Sequence, residues 1–242
     1  MKVVWVGLTA VLLVAPSAAY AAPGLDNIVY GATVEAGKSE IEMRYGRLTG
    51  GSADGEDSLV LEAARGFSPR FYGAVRASFE RAPGNSRRLE ALALEGVFTL
   101  GRIRSLDLDT AVYVEAEHGI HGHDNLETKL LLEHRKGRFD TRLNLIAKRA
   151  LKSGAPLEFG YAVSADYKVG EDLSLGAEAF GDLGTSCKFT TQGGHYVGPS
   201  VKLGIDHFGP GELGLRAGYL IALDRARDEA KGQLRFGMEF EF

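Results

Sequence analysis

The feature that most constrains this 242-residue chain is a period of two in its hydrophobic pattern, repeated along most of the sequence. Ile41, Met43 and Tyr45, for example, alternate with charged residues. Successive side chains of an extended strand point to opposite faces, whereas a helix would place apolar residues at spacings of three and four. The pattern therefore predicts β-strands with one apolar and one polar face. Further stretches with this alternation are 71–80, 106–115, 139–145 and 157–167.

Eleven clusters of turn-forming residues interrupt the alternation and divide residues 39–242 into twelve strands. Each strand is long enough to cross a membrane when tilted, which takes about 9–11 residues. The predicted fold class is all-β, a transmembrane antiparallel up-and-down β-barrel of about 12 strands. The longest breaks, 119–124 and 181–194, fall on one side of such a barrel, and the tight turns fall on the other, periplasmic side.

The N-terminus predicts export from the cytoplasm. Lys2 supplies a positive charge, the run 3–14 is uncharged and mostly apolar, and Ala19 and Ala21 mark a cleavage site. The apolar run is too short to cross about 30 Å of hydrocarbon as a helix. We therefore expect a cleavable signal peptide (1–22), a periplasmic lead-in (23–38) and a transmembrane barrel (39–242) located in the cell outer membrane.

The C-terminus carries the most specific motif. Apolar residues occupy every second position from Leu234 to Phe242, the last residue. This pattern resembles the closing strand of Gram-negative outer-membrane β-barrel proteins, and the resemblance extends to architecture but to no functional family. It implies that the barrel-assembly machinery is a partner during biogenesis, and that outer-membrane lipids and lipopolysaccharide surround the barrel. The residues expected to form the assembly signal are Phe236, Phe240 and Phe242.

Composition narrows the alternatives. A pI near 5.9 argues against a nucleic-acid partner. Trp5 is the only tryptophan and lies in the predicted signal peptide, so aromatic girdles at the membrane interfaces would consist of Tyr and Phe. Cys187 has no second cysteine with which to form a disulfide. A soluble periplasmic β-sandwich or lipocalin-like barrel is the competing architecture, but twelve strands and a terminal Phe fit it poorly.

Function is expected in the lumen, because the polar residues point inward. Assignment by alternation places eighteen acidic and eight basic residues there, which suits a narrow, cation-preferring pore. Arg44, Arg76 and Arg142 are expected to pair across the bore with Glu62, Glu95 and Glu178, which would constrict or close it. The pore-lining candidates are Arg44, Glu62, Arg76, Glu95, Asp109, Glu115, Arg142, Glu178, Arg216 and Arg235.

No catalytic residue, metal site or cofactor is predicted. The cluster of His118, His121 and His123 lies on a Gly-rich loop without preset ligand geometry, so we expect a solvated loop. Outer-membrane phospholipases resemble one another in a His-x-Ser pairing, which this sequence lacks. Outer-membrane proteases resemble one another in paired acidic residues and an Asp-His pair near the external rim. The acidic pair Asp107 and Asp109 of this sequence falls at the periplasmic end instead.

The sequence therefore favours a small porin-like channel or transporter for small polar solutes, with a weak preference for cations. Two alternatives stay open at this point. One is an outer-membrane-embedded enzyme that hydrolyses lipid or peptide. The other is a structural barrel with a sealed lumen, which complete pairing of arginines with glutamates would favour.

Overall fold

The computed structural model describes residue 25, residues 27–190 and residues 193–242. The predicted signal peptide (1–22) lies outside the described residues. Within the described part of the chain, no helix is long and apolar enough to cross a membrane.

The chain forms one closed antiparallel sheet of twelve long strands, as predicted, and a two-residue strand in one loop. Closure comes from β1, which pairs with β13 on one side and β2 on the other. A single turn of 3-10 helix, Arg225–Asp228, precedes the last strand. The strands are β1 (Ser39–Thr49), β2 (Asp57–Ser68), β3 (Phe71–Arg81), β4 (Arg88–Ile103), β5 (Leu108–Gly119), β6 (Asn125–Lys136), β7 (Phe139–Ala150), β8 (Glu158–Lys168), β9 (Leu173–Thr185), the short β10 (Lys188–Phe189), β11 (Gly194–Phe208), β12 (Gly211–Asp224) and β13 (Gly232–Glu241).

The two ends of the barrel differ in their connections. One end, here called the short-turn end, holds the start of β1, the end of β13 and five tight turns. Gly137 and Gly209 adopt φ of 61° and 64° in two of these turns, a conformation that a residue with a Cβ adopts at a steric cost. The other end, the long-loop end, holds the longer connections, including 50–56, 186–193 and 225–231. This asymmetry is the one expected from the sequence.

The two faces of the sheet have opposite chemistry, because side chains alternate along every strand. In β1 the side chain of Ile41 is 56% exposed on the outside, whereas that of Glu42 is 2% exposed on the inside. The register continues the inner face around the barrel, since Glu42 lies opposite Glu62 of β2. A continuous apolar outer surface of this kind is unfavourable in water and suits contact with lipid.

Aromatic side chains ring the short-turn end on the outer surface. Phe71 stacks on Phe98 with ring centroids 4.7 Å apart, and Phe139 lies 4.8 Å from Tyr167. On the closing strand, Phe240 stacks on Phe242 at 5.6 Å. Aromatic rings with an apolar body favour the interface between hydrocarbon and headgroups. Tyr and Phe therefore form the girdle at this end, as the composition predicts.

The barrel lumen as a candidate functional site

Arg44 lies at the centre of an ion-pair network in the lumen, with its guanidinium almost completely buried. It lies 3.2 Å from Glu42 and 2.9 Å from Glu62. Glu42 also pairs with Arg216 of β12, and Tyr72 donates a hydrogen bond to Glu62 at 2.9 Å. These contacts compensate the charge of the buried carboxylates and join strands on both sides of β1.

A second network surrounds Arg76 of β3. Its guanidinium lies 3.0 Å from Glu95, 2.8 Å from Glu115 and 2.8 Å from Glu117. Tyr113 donates a 2.5 Å hydrogen bond to Glu115. One arginine therefore holds three carboxylates, so its removal would leave negative charges facing one another in a poorly solvated space.

The structure brings together Arg44 with Glu62 and Arg76 with Glu95, as the sequence predicts. Each pair joins neighbouring strands, β1 with β2 and β3 with β4, and does not cross the bore as we expect from the sequence. Arg142 pairs with other partners than expected. It lies 3.2 Å from Glu133 of β6 and 2.7 Å from Asp140 on its own strand. The stagger between strands decides this choice, since Glu133 is the residue opposite Arg142 in the register.

The other pore-lining candidates lie at different heights along the lumen. Asp109 lies near the short-turn end, where Arg102 contacts it at 3.0 Å. Glu178 and Arg216 line the middle of the lumen, and the Arg235 guanidinium lies 4.0 Å from the centre of the Phe180 ring.

Residues 27–35, here called the lumen segment, pass through the inside of the barrel. The sequence predicts that this part of the chain leads into the barrel from the periplasm, with a further strand as the alternative. Just before it, Leu25 packs against Leu48, Ala226 and Ala230 at the long-loop end. Just after it, the Gly37 N–H donates to a carbonyl of β2 near the short-turn end, at 2.8 Å. The lumen segment thus follows the axis of the barrel from one end to the other.

Side chains of the barrel wall bind the backbone of the lumen segment. Asn144 of β7 accepts a hydrogen bond from the Tyr30 N–H at 2.8 Å and donates one to the Tyr30 carbonyl at 2.9 Å. Glu133 accepts from the Ala32 N–H at 2.9 Å, and the Thr99 hydroxyl donates to the Ala32 carbonyl at 3.2 Å. Among the described residues, no strand pairs with the backbone of the segment. These side chains therefore satisfy backbone groups that would otherwise be buried unpaired.

Tyr30 fixes the segment in the middle of the lumen. Its hydroxyl donates to Glu95 at 2.9 Å and accepts from Arg44 at 3.3 Å, which connects the two ion-pair networks. The Lys129 ammonium lies 4.6 Å from the Tyr30 ring centre and 4.3 Å from that of Tyr113, within the range of cation–π attraction. Tyr30 is not among the lumen residues that the sequence predicts. The only signal for it is weak alternation between Asn27 and Glu35.

Apolar side chains fill the lumen beside the segment. At the long-loop end Leu25 and Val29 belong to a buried cluster with Phe180, Tyr196 and Leu220. A second cluster, on the side of β4 to β6, consists of Tyr30, Ala32, Val97, Ala111, Tyr113 and Leu131. Alternation assigns all these wall residues to the inner face. The pore-lining residues predicted from the sequence, however, are all charged.

Two cavities lie on the short-turn side of the lumen. One of about 620 Å³ is lined by residues such as Arg142, Asp166 and Lys202. The other, of about 310 Å³, is lined by residues that include Glu40, Glu62 and the lumen segment. A separate void of only about 10 Å³, roughly the volume one water probe occupies, lies between Leu25 and Ile28 of the N-terminal chain and wall residues that include Arg44 and Phe236.

Carboxylate oxygens of Glu40, Glu42 and Glu62 lie within 4.8 Å of one another beside the smaller cavity. Arginines already pair with two of the three, as described above. We therefore do not assign this cluster to a metal.

The histidine cluster and the acidic pair considered for metal binding or catalysis lie near the two ends of the barrel. His118 Nδ1 lies 2.7 Å from Asp124 at the long-loop end, and both side chains are more than half exposed. His121 and His123 are also exposed. At the opposite end, Asp107 hydrogen-bonds with Arg102, which lowers the pKa of the Asp107 carboxyl from its ordinary value.

Comparisons with known proteins identify the fold. No protein-family model matches the sequence, and no curated protein matches it. Among solved structures, the KdgM porin in complex with disordered oligogalacturonate is 13% identical with a TM-score of 0.56, over 84% of this chain and 98% of that one. The fold is that of outer-membrane porins.

Two further structures have the same fold. The NanC porin superposes with a TM-score of 0.58 at 8% identity, over 84% of this chain and 98% of that one. An outer membrane channel from Pseudomonas putida F1 superposes with a TM-score of 0.57 at 11% identity, over 86% of this chain and 96% of that one. At these identities the agreement extends to the barrel architecture and not to the residues in the lumen.

Proposed function

We propose that this protein is an outer-membrane, porin-like channel for small polar solutes. The observation that carries the proposal is the charged, cavity-containing lumen of a closed barrel whose outer surface is apolar. A polar interior of this type provides a hydrated path through the hydrocarbon layer. The structures with the same fold, which are porins and channels, support the proposal.

A weak preference for cations follows from the charges around the cavities. The side chains that line the smaller cavity include six carboxylates and four basic groups. Those around the larger cavity include eight carboxylates and six basic groups. The excess is small at each cavity, so we expect modest selectivity that depends on ionic strength.

The same charges bear on the class of solute. KdgM has been crystallised with oligogalacturonate, which is a polyanion. An excess of carboxylates repels polyanions, so we propose neutral or cationic small polar solutes for this protein. The cavity of about 620 Å³ is large enough for a small sugar or amino acid.

We further propose that the short-turn end faces the periplasm, as is usual for barrels with this asymmetry. Lipopolysaccharide would then surround the long-loop end. The barrel-assembly machinery would act on β13, the strand that closes the sheet.

Planar bilayers test the channel proposal. We expect the purified, folded protein to give discrete ion conductance, and proteoliposomes containing it to take up small neutral solutes faster than protein-free vesicles. Correct folding is verified by heat-modifiable mobility on gels. Silence from folded wild-type protein and from every folded variant without the lumen segment would exclude a channel and favour the sealed structural barrel.

A further inference from the structure

We infer that the lumen wall is a binding site for an extended peptide, that the lumen segment occupies it as a displaceable plug, and that the pore opens when the segment leaves. The inference rests on the proposed channel function. It adds an occupant to the lumen and a state in which that occupant is absent.

The wall is chemically suited to a peptide backbone. Asn144, which is 0% exposed, provides both an acceptor and a donor to the same residue, Tyr30. Glu133 and Thr99 bind the N–H and carbonyl of Ala32, two residues further along. Three side chains from three strands thus match the donor and acceptor pattern of an extended chain. A wall that merely enclosed water would not require that match.

Glycines leave room for the segment where the chain enters and leaves the lumen. A Cβ on Gly46 of β1 would overlap the carbonyl oxygen of Leu25, and a Cβ on Gly66 of β2 would overlap that of Glu35. Both glycines belong to the inner face, since they continue the alternation of Arg44 and Glu62. The strands therefore have no side chain at the points where the peptide passes closest.

The segment closes the path that the cavities would otherwise continue. Both large cavities lie on the short-turn side of Leu25, which belongs to a buried apolar cluster with Leu48 and Leu220 at the long-loop end. In the same region Val29 and Tyr30 fill the lumen with apolar surface. Solute that enters from the short-turn end thus meets the segment first.

The attachment of the segment allows it to leave. Gly37, which is exposed and has φ of 89°, joins it to β1 at the short-turn end. Most anchors in the middle of the lumen are hydrogen bonds to polar side chains, and water can replace each of them. The segment can therefore swing out through the short-turn end without breaking any pairing between barrel strands.

Deletion of residues 23–36 is the first test, with conductance measured in planar bilayers at equal amounts of folded protein. We expect mean conductance to rise at least about tenfold, and a synthetic peptide of residues 23–36 to reduce it again from the short-turn side. Equal conductance of the two proteins would overturn the plug and leave the channel proposal intact. Silence of both would overturn the channel proposal itself.

Asn144→Leu is the second test, because the deletion variant could fail to fold. It keeps the segment and the side-chain volume but removes two of the hydrogen bonds, so open probability should rise about tenfold or more. Ser164→Ala is the control, since Ser164 is buried on the inner face and its hydroxyl has no hydrogen-bond partner among the described residues. Unchanged open probability in Asn144→Leu would overturn the inference even without the deletion.

Labelling gives an independent readout of segment position. In a Cys187→Ser background, Ala32→Cys should react slowly with a membrane-impermeant maleimide, because Ala32 is completely buried. Asn144→Leu should accelerate that reaction by the same factor as it raises open probability. Fast labelling of Ala32→Cys in the otherwise wild-type barrel would contradict the plug.

Discussion

Arg76 is the residue on which most of the buried charge in one half of the lumen depends, since Glu95, Glu115 and Glu117 all lie within 3.0 Å of it. Arg76→Met would remove the guanidinium that contacts Glu95 and Glu115 in a poorly solvated site, while Glu117 would keep Lys148 at 3.6 Å. We expect the free energy of unfolding to fall by about 3–5 kcal/mol, the usual effect of breaking a buried ion pair. Urea titration of the protein in lipid vesicles, followed by far-ultraviolet circular dichroism, measures this free energy.

The matched control at the residue scale is Arg88→Met. Arg88 pairs with Glu90, but its side chain is 66% exposed. Exposed pairs contribute only about 0–1 kcal/mol, so the unfolding midpoint should scarcely move. A similar decrease in the free energy of unfolding for both substitutions would show that the lumen is well hydrated around Arg76. That result would contradict the burial of the Arg76 side chain, which is 5% exposed.

At the scale of the element, β13 closes the sheet by pairing with β1 and β12, and we propose that it also carries the assembly signal. The Phe242 N–H and carbonyl both hydrogen-bond with Ser39 at 2.9 Å, and the Phe242 ring stacks on Phe240 on the outer surface. Glu241 points the other way and lies 2.5 Å from Lys38. We predict that Phe242→Gln strongly impairs insertion, because it removes an apolar side chain from the lipid-facing row.

The same substitution at the neighbouring position, Glu241→Gln, provides the control, and it should insert normally. Fractionation of outer membranes and heat-modifiable gel mobility report the folded fraction of each variant. If the two variants insert equally well, Phe242 is not part of an assembly signal.

At the scale of the whole molecule, we predict that the distribution of charge in the lumen gives the channel a weak preference for cations. Reversal potentials of the conducting protein should favour cations at 0.1 M salt and lose much of that preference at 1 M, because the Debye length falls from about 10 Å to about 3 Å. Replacing Asp172 and Asp206, which line the larger cavity, with Asn should weaken the preference. Glu90→Gln, away from both cavities, should leave it unchanged. A reversal potential that favours anions would contradict the proposed selectivity.

The sequence by itself determined the strands and their two faces. Alternation such as that of Ile41 and Glu42 reflects the two-residue repeat of an extended chain, which is a local property and needs no knowledge of neighbouring strands. The same rule identified ten lumen candidates, among them Arg44 and Arg76, and the register then placed Glu62 and Glu95 within reach of them.

Only the tertiary structure decided what occupies the lumen and which charges meet. Residues 27–35 pair with no strand, and nothing in their local pattern distinguishes a chain outside the barrel from one inside it. Their position depends on side chains more than a hundred residues away, such as Asn144. Arg142 selects Glu133 for a similar reason, since a cross-strand ion pair depends on the stagger of two strands. Long-range geometry, not local sequence, therefore determines whether this polar barrel is open or plugged.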